Sequence, residues 1–218
     1  MNPVDLRLYG ILGPANARGR DLAALAAAAA AGGCTLIQLR DKDGSDEAVL
    51  AQARAIKAAL AGSGVPLLVN DRVDVAAAAG ADGVHLGQDD VDPREARARL
   101  GPAAIIGVTL KTPAHAEALT GLPVDYGCIG GVFATASKRN LEPPIGLDGL
   151  ARVLAAGRPA GLPLGAIAGI DESNAAPVIG TGADGIAVIS ALFDRDDVTG
   201  AARRLKGIVD RALAARRA

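Results

Sequence analysis

The sequence predicts an α/β chain folded as a (β/α)8 barrel, and three observations carry that expectation. Short apolar runs alternate with capped, Ala-rich helical stretches along the whole chain. Each strand–helix unit is under about thirty residues, the economy a minimal barrel requires. One turn also recurs: Gly80-Ala-Asp-Gly-Val84 returns as Gly182-Ala-Asp-Gly-Ile186, before the fourth and eighth expected strands, half a barrel apart. Glycine lets the chain turn tightly there, and Asp can hydrogen-bond its own backbone in such turns. A doubly wound open sheet is the runner-up, but eight similar consecutive units favour closure. No composition shift marks a boundary, so residues 1–218 are expected to form one domain.

Taken in order, Leu8–Leu12 reads as the first strand. Asp21 is placed to cap a helix over Leu22–Ala31, which Gly32-Gly33 ends. Thr35–Arg40 is the second strand. Ser45 caps the next helix, to about Ala61, with Glu47 near its start and Lys57 near its end, as the helix dipole prefers. Pro66–Val69 and Val84–Leu86 are the third and fourth strands, joined by a short Ala-rich helix. Pro93 opens a helix, Ala104–Thr109 is the fifth strand, and Pro113 starts a short helix. Asp125–Gly130 is the sixth strand. A polar loop, Phe133–Gly146, leads to a helix around Leu147–Ala156. Leu164–Gly169 and Gly185–Ser190 are the last strands, and Asn174–Ile179 lie in the helix between them. A final helix starts near Val198 and runs into a basic tail.

Composition excludes several classes. Half the residues are hydrophobic, enough for a substantial core, yet only 2 % are aromatic, so the core relies on aliphatic packing. The net charge of −1 argues against a general nucleic-acid surface. Phosphate binding, if any, must come from local groups. Cys34 and Cys128 lack partners at metal-ligand spacing and read as small buried residues. The N-terminus has no signal-peptide pattern, and the longest apolar stretch, Leu22–Ala31, is too short to span a bilayer. A cytoplasmic protein, without membrane partners, is the expectation; a homo-oligomer stays open.

In a barrel, function sits where strands end and βα loops begin. The third strand runs into Asn70 and Asp71, and the fourth into Gly87-Gln-Asp-Asp90. As parallel neighbours, Asp71 and Asp90 would emerge on one rim. Two hard oxygen donors there suit a Mg²⁺ that keeps positions for water and a substrate phosphate. The competing reading has Asp71 capping the following helix and Asp90 opening a turn. On the second strand Gln38, Arg40 and, if extension persists, Lys42 share one face, while Ile37 and Leu39 share the other. Polar residues on an interior face near the rim suggest a ligand, and Arg with Lys suits an oligophosphate. A solvated loop with a surface Arg-Asp pair is the alternative. Thr109 offers a hydroxyl at the fifth strand's end and could equally cap a helix. The loop after the sixth strand carries Thr135, Ser137 and Lys138, a plausible phosphate grip. Gly169, Ile189 and Ser190 end the last two strands, where barrels often bind phosphate through glycine and backbone N–H groups.

Two anion sites result. One joins Arg40, Lys42, Asn70, Lys138 and a metal on Asp71 and Asp90. The other joins Thr135, Ser137, Gly169, Ile189 and Ser190. The charge gathered in the first exceeds what a monophosphate needs and suggests a diphosphate. Joining two phosphorylated small molecules, with diphosphate leaving, is the simplest reaction. His85 reads as a satisfied core residue on a strand and His115 as an exposed helical one, so neither is a strong catalytic candidate.

The chain resembles the thiamine-phosphate synthase family. The segments that carry the likeness are Gln38–Lys42, Asn70-Asp71-Arg72, Gly83–Asp90, Thr135–Lys138 and Gly182–Ser190, which fall in order at matching strand ends. The resemblance implies a (β/α)8 barrel that couples hydroxymethylpyrimidine diphosphate to a thiazole phosphate. Pyrimidine-diphosphate contacts would fall on Gln38, Arg40, Lys42, Asn70, Thr109 and Lys138. Of these, Arg40, Lys42 and Lys138 would act on the leaving group. Mg²⁺ would fall on Asp71 and Asp90, and thiazole-phosphate contacts on Thr135, Ser137, Gly169, Ile189 and Ser190. The implied mechanism is dissociative. The chain departs from the family pattern at Gly131, where proline is frequent, at Ala168, where glycine is frequent, and at Leu110-Lys111, where a small residue and His are common. A related thiazole tautomerase, or a non-catalytic barrel that binds thiazole or thiamine phosphates, are the rival expectations.

Overall fold

The structure is a computed structural model, and it describes residues 4–135 and 143–217. Strands β1 (Leu8–Leu12), β2 (Leu36–Leu39), β3 (Leu67–Asn70), β4 (Gly83–Leu86), β5 (Ile105–Leu110), β6 (Tyr126–Ile129), β7 (Leu164–Ile167) and β8 (Gly185–Val188) form a closed barrel in sequence order. Every neighbouring pair is parallel, including β1 with β8. Closure leaves no sheet edge exposed.

The main helices lie outside the barrel and face it with small aliphatic side chains. They are α2 (Leu22–Ala31), α3 (Asp46–Ala59), α4 (Val73–Ala79), α5 (Pro93–Leu100), α6 (Pro113–Glu117), α7 (Gly146–Gly157), α8 (Ala175–Gly180) and α10 (Val198–Arg217). Asp21 accepts from Ala24 N–H at 2.7 Å and Ser45 from Ala48 N–H at 3.3 Å, capping α2 and α3 as expected. A Cβ at Gly32 would lie 2.4 Å from the Thr199 carbonyl oxygen, so glycine lets the end of α2 meet α10 closely. Two four-residue helices, α1 (Pro14–Ala17) and α9 (Ser190–Phe193), follow β1 and β8 and have no counterpart in the sequence reading. Among the described residues, no helix is long and apolar enough to cross a membrane.

The recurring turn works across the sheet. The Asp82 carboxylate accepts from Leu67 N–H at 2.7 Å, on the neighbouring strand, and also from Lys57. Asp184 accepts from Leu164 N–H at 2.9 Å. Asp125, outside the repeated motif, accepts from Ile106 N–H at 2.7 Å in the same way. Each carboxylate therefore takes a donor from the first or second residue of the preceding strand. The glycines that follow are needed for close approach. A Cβ at Gly83 would lie 1.8 Å from the Ile105 carbonyl oxygen, and one at Gly185 would lie 1.7 Å from that of Leu6.

Side-chain parity divides the apolar residues into two clusters. Ile37, Leu39, Val69, Val84 and Ile106 face the helices. Tyr9, Ile11, Leu36, Leu68, Tyr126, Cys128 and Ala187 fill the barrel interior. Both tyrosines of the chain are thus inside. Room for the Tyr126 ring comes from its register partner on β5, because a Cβ at Gly107 would fall 2.0 Å from Tyr126 Cζ. Above this layer the interior turns polar, with Gln38 on β2 and His85 on β4 both buried. That change marks the floor of the site.

Candidate active site

A cavity of about 960 Å³ opens at the C-terminal ends of the strands. Gln38, Arg40, Asn70, Thr109, Thr135, Gly169, Ile189 and Ser190 all line it. Its floor carries Tyr9, His85 and Cys128, and Lys111 and Arg195 stand on its wall. The volume lies at the upper end of the usual range for ligand pockets, roughly 300–1,000 Å³, and accommodates more than one small molecule.

Strand geometry explains the lining. Leu36, Gln38 and Arg40 alternate inward on β2, as expected, while Ile37 and Leu39 pack outward. Gln38 is 1 % exposed and donates through Nε2 to Tyr9 Oη. The Arg40 backbone N–H donates to Leu12 at 2.8 Å, holding the chain extended past the strand end. The Arg40 guanidinium forms no ion pair with any described residue. Thr109 points inward from β5 and lies 2.9 Å from His85 Nε2.

Lys42, Asp71 and Asp90 gather on the rim above β2, β3 and β4. Lys42 Nζ pairs with Asp71 Oδ2. Asp71 has φ +61°, a left-handed conformation that Asp tolerates, and its N–H donates to the His85 carbonyl at 2.9 Å. This turn directs the carboxylate away from α4, whose N-cap is Arg72 and has no side-chain cap. The helix-capping reading of Asp71 is therefore replaced. Asp90 accepts from Gly87 N–H at 2.6 Å, which closes a tight turn after β4. A Cβ at Gly87 would come within 2.9 Å of that carboxylate.

The two carboxylates sense one another. Burial, then the hydrogen bond with Asp90, raises the Asp71 pKa above the usual carboxylate value, and Lys42 only partly opposes this. Burial also acts to raise Asp90. The hydrogen bond with Asp71, the Gly87 N–H and the nearby positive charge outweigh it and hold Asp90 low. Two carboxylates that close share a proton readily and exchange it for a divalent cation. Asp71 and Asp90 could therefore hold a hard divalent cation such as Mg²⁺, which takes carboxylate oxygens.

At the opposite rim, Ala168 takes φ +97° and Gly169 φ +64° after β7. A Cβ at Gly169 would meet the Ala134 carbonyl oxygen at 2.5 Å, so glycine brings this rim against Phe133 and Ala134. Asn174 Nδ2 donates to the Gly169 carbonyl at 2.9 Å and fixes it further. Ser190 begins α9, whose start faces the cavity, an arrangement frequent in barrels that bind phosphate. Arg20 holds the far end of α9 by donating to the Phe193 and Arg195 carbonyls, the latter at 2.8 Å. Gly131 takes φ +76°, which proline cannot adopt, so the glycine here defines a different loop path from a Gly-Pro pair.

Ser137 and Lys138 lie outside the described residues. The sequence reading passed over Tyr9, Tyr126 and the site position of His85. His85 is a satisfied residue, as expected: Nδ1 lies 2.8 Å from Tyr126 Oη and Nε2 reaches Thr109. His115 is half-buried rather than exposed, and its Nδ1 accepts from Lys111 N–H at 3.4 Å. Inward parity on β1, β4 and β6 was the signal that could have found the floor.

A closed parallel barrel with a polar cavity at its C-terminal mouth defines the class of barrel enzymes that act on small molecules. Comparison with known proteins narrows it. The thiamine monophosphate synthase family profile matches residues 8–192. The chain is 49 % identical over 218 residues to a thiamine-phosphate synthase of Agrobacterium fabrum, covering 99 % of each. It is 47 % identical over 214 residues to a thiamine-phosphate synthase of Xanthobacter autotrophicus, covering 98 % of this chain and 99 % of the relative. A solved structure of a thiamine phosphate pyrophosphorylase from Pyrococcus furiosus superposes with a TM-score of 0.84 at 33 % identity, covering 96 % of this chain and 98 % of that one. The chain belongs to the thiamine monophosphate synthase family and is a transferase of thiamine biosynthesis.

Proposed function

We propose that the protein joins hydroxymethylpyrimidine diphosphate to a thiazole phosphate, giving thiamine phosphate and diphosphate. The observation that carries this is convergence. One cavity takes both expected substrate sets, Gln38, Arg40, Asn70 and Thr109 from one side and Thr135, Gly169, Ile189 and Ser190 from the other. The carboxylate pair and Lys42 stand on the rim of the first set.

The reaction breaks the bond between the pyrimidine methylene carbon and the diphosphate oxygen, and the electron pair leaves with diphosphate. The thiazole nitrogen then gives its lone pair to that carbon. No proton needs to move in this exchange, so no general base is required, and His85 has both ring nitrogens engaged. What the protein must do is stabilise charge on the leaving group and hold two rings in line. Arg40 faces the cavity with its guanidinium unpaired among the described residues and is suited to fork onto the diphosphate. Lys42 is tethered by Asp71, so it serves as a positioned cation rather than a mobile one. When bound on Asp71 and Asp90, Mg²⁺ supplies further positive charge to the departing diphosphate. Lys138 would complete this set, and Ser137 would join Thr135 on the thiazole phosphate. Ser190 and the backbone N–H groups around Gly169 and Ile189 would hold the remaining phosphate oxygens.

A metal titration tests the rim. Asp71→Asn keeps the shape of the side chain and removes one of the two charges. The expected result is a sharp fall in diphosphate release that high Mg²⁺ restores only in part. Undiminished turnover across the titration removes Asp71 from the metal site. Lys42→Ala should slow the single-turnover step, and a normal single-turnover rate would place Lys42 outside the chemistry.

A further inference from the structure

Five buried or half-buried side chains form one hydrogen-bonded path across the barrel, just under the cavity. Gln38 Nε2 donates to Tyr9 Oη. Tyr9 Oη lies 3.0 Å from Tyr126 Oη. Tyr126 Oη lies 2.8 Å from His85 Nδ1, and His85 Nε2 lies 2.9 Å from Thr109 Oγ1. The path begins on β2 and ends on β5, and both its ends line the cavity. The rings in the middle are held by contact. Tyr9 meets Tyr126 edge-on at 5.9 Å, and His85 stacks on Tyr126 at 5.6 Å.

Each phenol in such a path has one proton, and a neutral imidazole has one. Neither phenol has a further hydrogen-bond partner among the described residues, so each spends its proton within the path and direction is transmitted from link to link. With Gln38 Nε2 as donor, Tyr9 gives its proton toward Tyr126. Tyr126 gives its own to His85 Nδ1. His85 must then carry its proton on Nε2 and donate to Thr109 Oγ1. The Thr109 proton is left to point elsewhere, and Gln38 keeps its Oε1 as the uncommitted acceptor. Burial raises the pKa of both tyrosines well above the ordinary value, so both remain phenols and keep these protons.

We propose that this ordered path makes Tyr9, Tyr126 and His85 positioning residues, which preset Gln38 as an acceptor and Thr109 as a donor toward the bound ring. A ring that donates through an exocyclic amine and accepts through a ring nitrogen matches that pair. The matching ligand is an aminopyrimidine, so the specificity part of this inference rests on the proposed function. Reversing any one link reverses all of them, and the cavity would then present an amide donor and a hydroxyl acceptor. The His85 tautomer therefore reports the orientation of an amide on the far side of the barrel.

The first test uses the ligand-free full chain labelled with ¹⁵N. The chain has two histidines, so His115→Gln leaves a single imidazole to assign. Long-range ¹H–¹⁵N correlation at neutral pH should find His85 neutral, with its proton on Nε2. A proton on Nδ1, or on both nitrogens, overturns the ordering. The second test is Tyr126→Phe, which cuts the path in its middle. It should release the tautomer preference and raise KM for the pyrimidine diphosphate by roughly tenfold, the scale of one misoriented hydrogen bond. KM for the thiazole phosphate should change less than about twofold. A folded Tyr126→Phe with the same single tautomer and unchanged pyrimidine KM overturns the proposal. Tyr9→Phe cuts the next link, and its pyrimidine KM decides in the same way if Tyr126→Phe does not fold. A chain that shows the Nε2–H tautomer but releases no diphosphate keeps the relay and loses the synthase reading. A chain that turns over with the Nδ1–H tautomer loses the relay alone.

Discussion

Replacing Gly107 by alanine puts a methyl group where Tyr126 already sits. The added Cβ would lie 2.0 Å from Cζ, 2.2 Å from Cε1 and 2.3 Å from Oη of that ring. Carbon atoms pack at roughly 3.5–4.0 Å, so the ring must retreat by more than about 1 Å. It has nowhere to go. Tyr126 is fully buried, Tyr9 meets it edge-on, and His85 stacks on it. Overpacking of this kind costs about 1–3 kcal/mol. Moving Oη also strands its partners His85 and Tyr9, at about 1–3 kcal/mol for each buried group left unpaired. Alanine recovers about 0.4–1 kcal/mol by restricting the unfolded chain. The net expectation is a loss of about 2 kcal/mol or more, the balance of those three figures. Urea unfolding followed by far-UV circular dichroism reads it directly. Gly180→Ala is the internal control, because a Cβ there meets nothing within 4 Å in the last turn of α8. That variant should be neutral or slightly more stable. A Gly107→Ala protein within about 1 kcal/mol of the parent would refute the packing argument, since a single overpacked methyl already costs that much.

Ala168 holds φ +97° at the mouth, a conformation alanine rarely adopts. Ala168→Gly should raise stability by about 1 kcal/mol, the strain relieved less the extra freedom of glycine in the unfolded chain; a drop in the urea midpoint would deny the strain. Hydrogen bonds from the Ser173 hydroxyl and N–H hold the Asp171 carboxyl below the usual range. Its folded pKa is depressed, so its contribution to stability is present above the unfolded value and is lost as pH falls through the folded one. Asp171→Asn should therefore flatten the acid side of the stability curve through and below the carboxylate range, roughly pH 3–5; curves that stay parallel would contradict this. Burial pushes the Cys34 thiol up to about 12, so a thiol reagent at neutral pH should modify Cys34 only as fast as the protein opens; rapid labelling of the native chain would argue against that burial.

Local signals made most of the barrel legible. Asp21, Ser45, Pro93 and Pro113 mark helix starts through capping chemistry that lies within a few residues. The inward row Leu36, Gln38, Arg40 followed from the two-residue period of a strand. The short helices α1 and α9 were not legible, because four residues are too few to show a helical period. The role of Asp82 was misplaced for a related reason. Its hydrogen bond to Leu67 N–H depends on which strand lies beside it, and that is set by sheet register rather than by neighbouring residues. The same holds for the polar floor. Tyr9, His85 and Tyr126 stand far apart in the chain, and each alone reads as an ordinary core residue. Only barrel closure, with β1 beside β2 and Gly107 beside Tyr126, brings their polar atoms together.

In the proposed function, one cavity holds both substrates and drives diphosphate off one of them. Diphosphate release from the purified chain, given both phosphorylated substrates with Mg²⁺ and then with a chelator, tests it most directly. Release should require both substrates and stop when the metal is removed. Release from the pyrimidine diphosphate alone at the same rate, or none with both substrates bound and Mg²⁺ present, would contradict it.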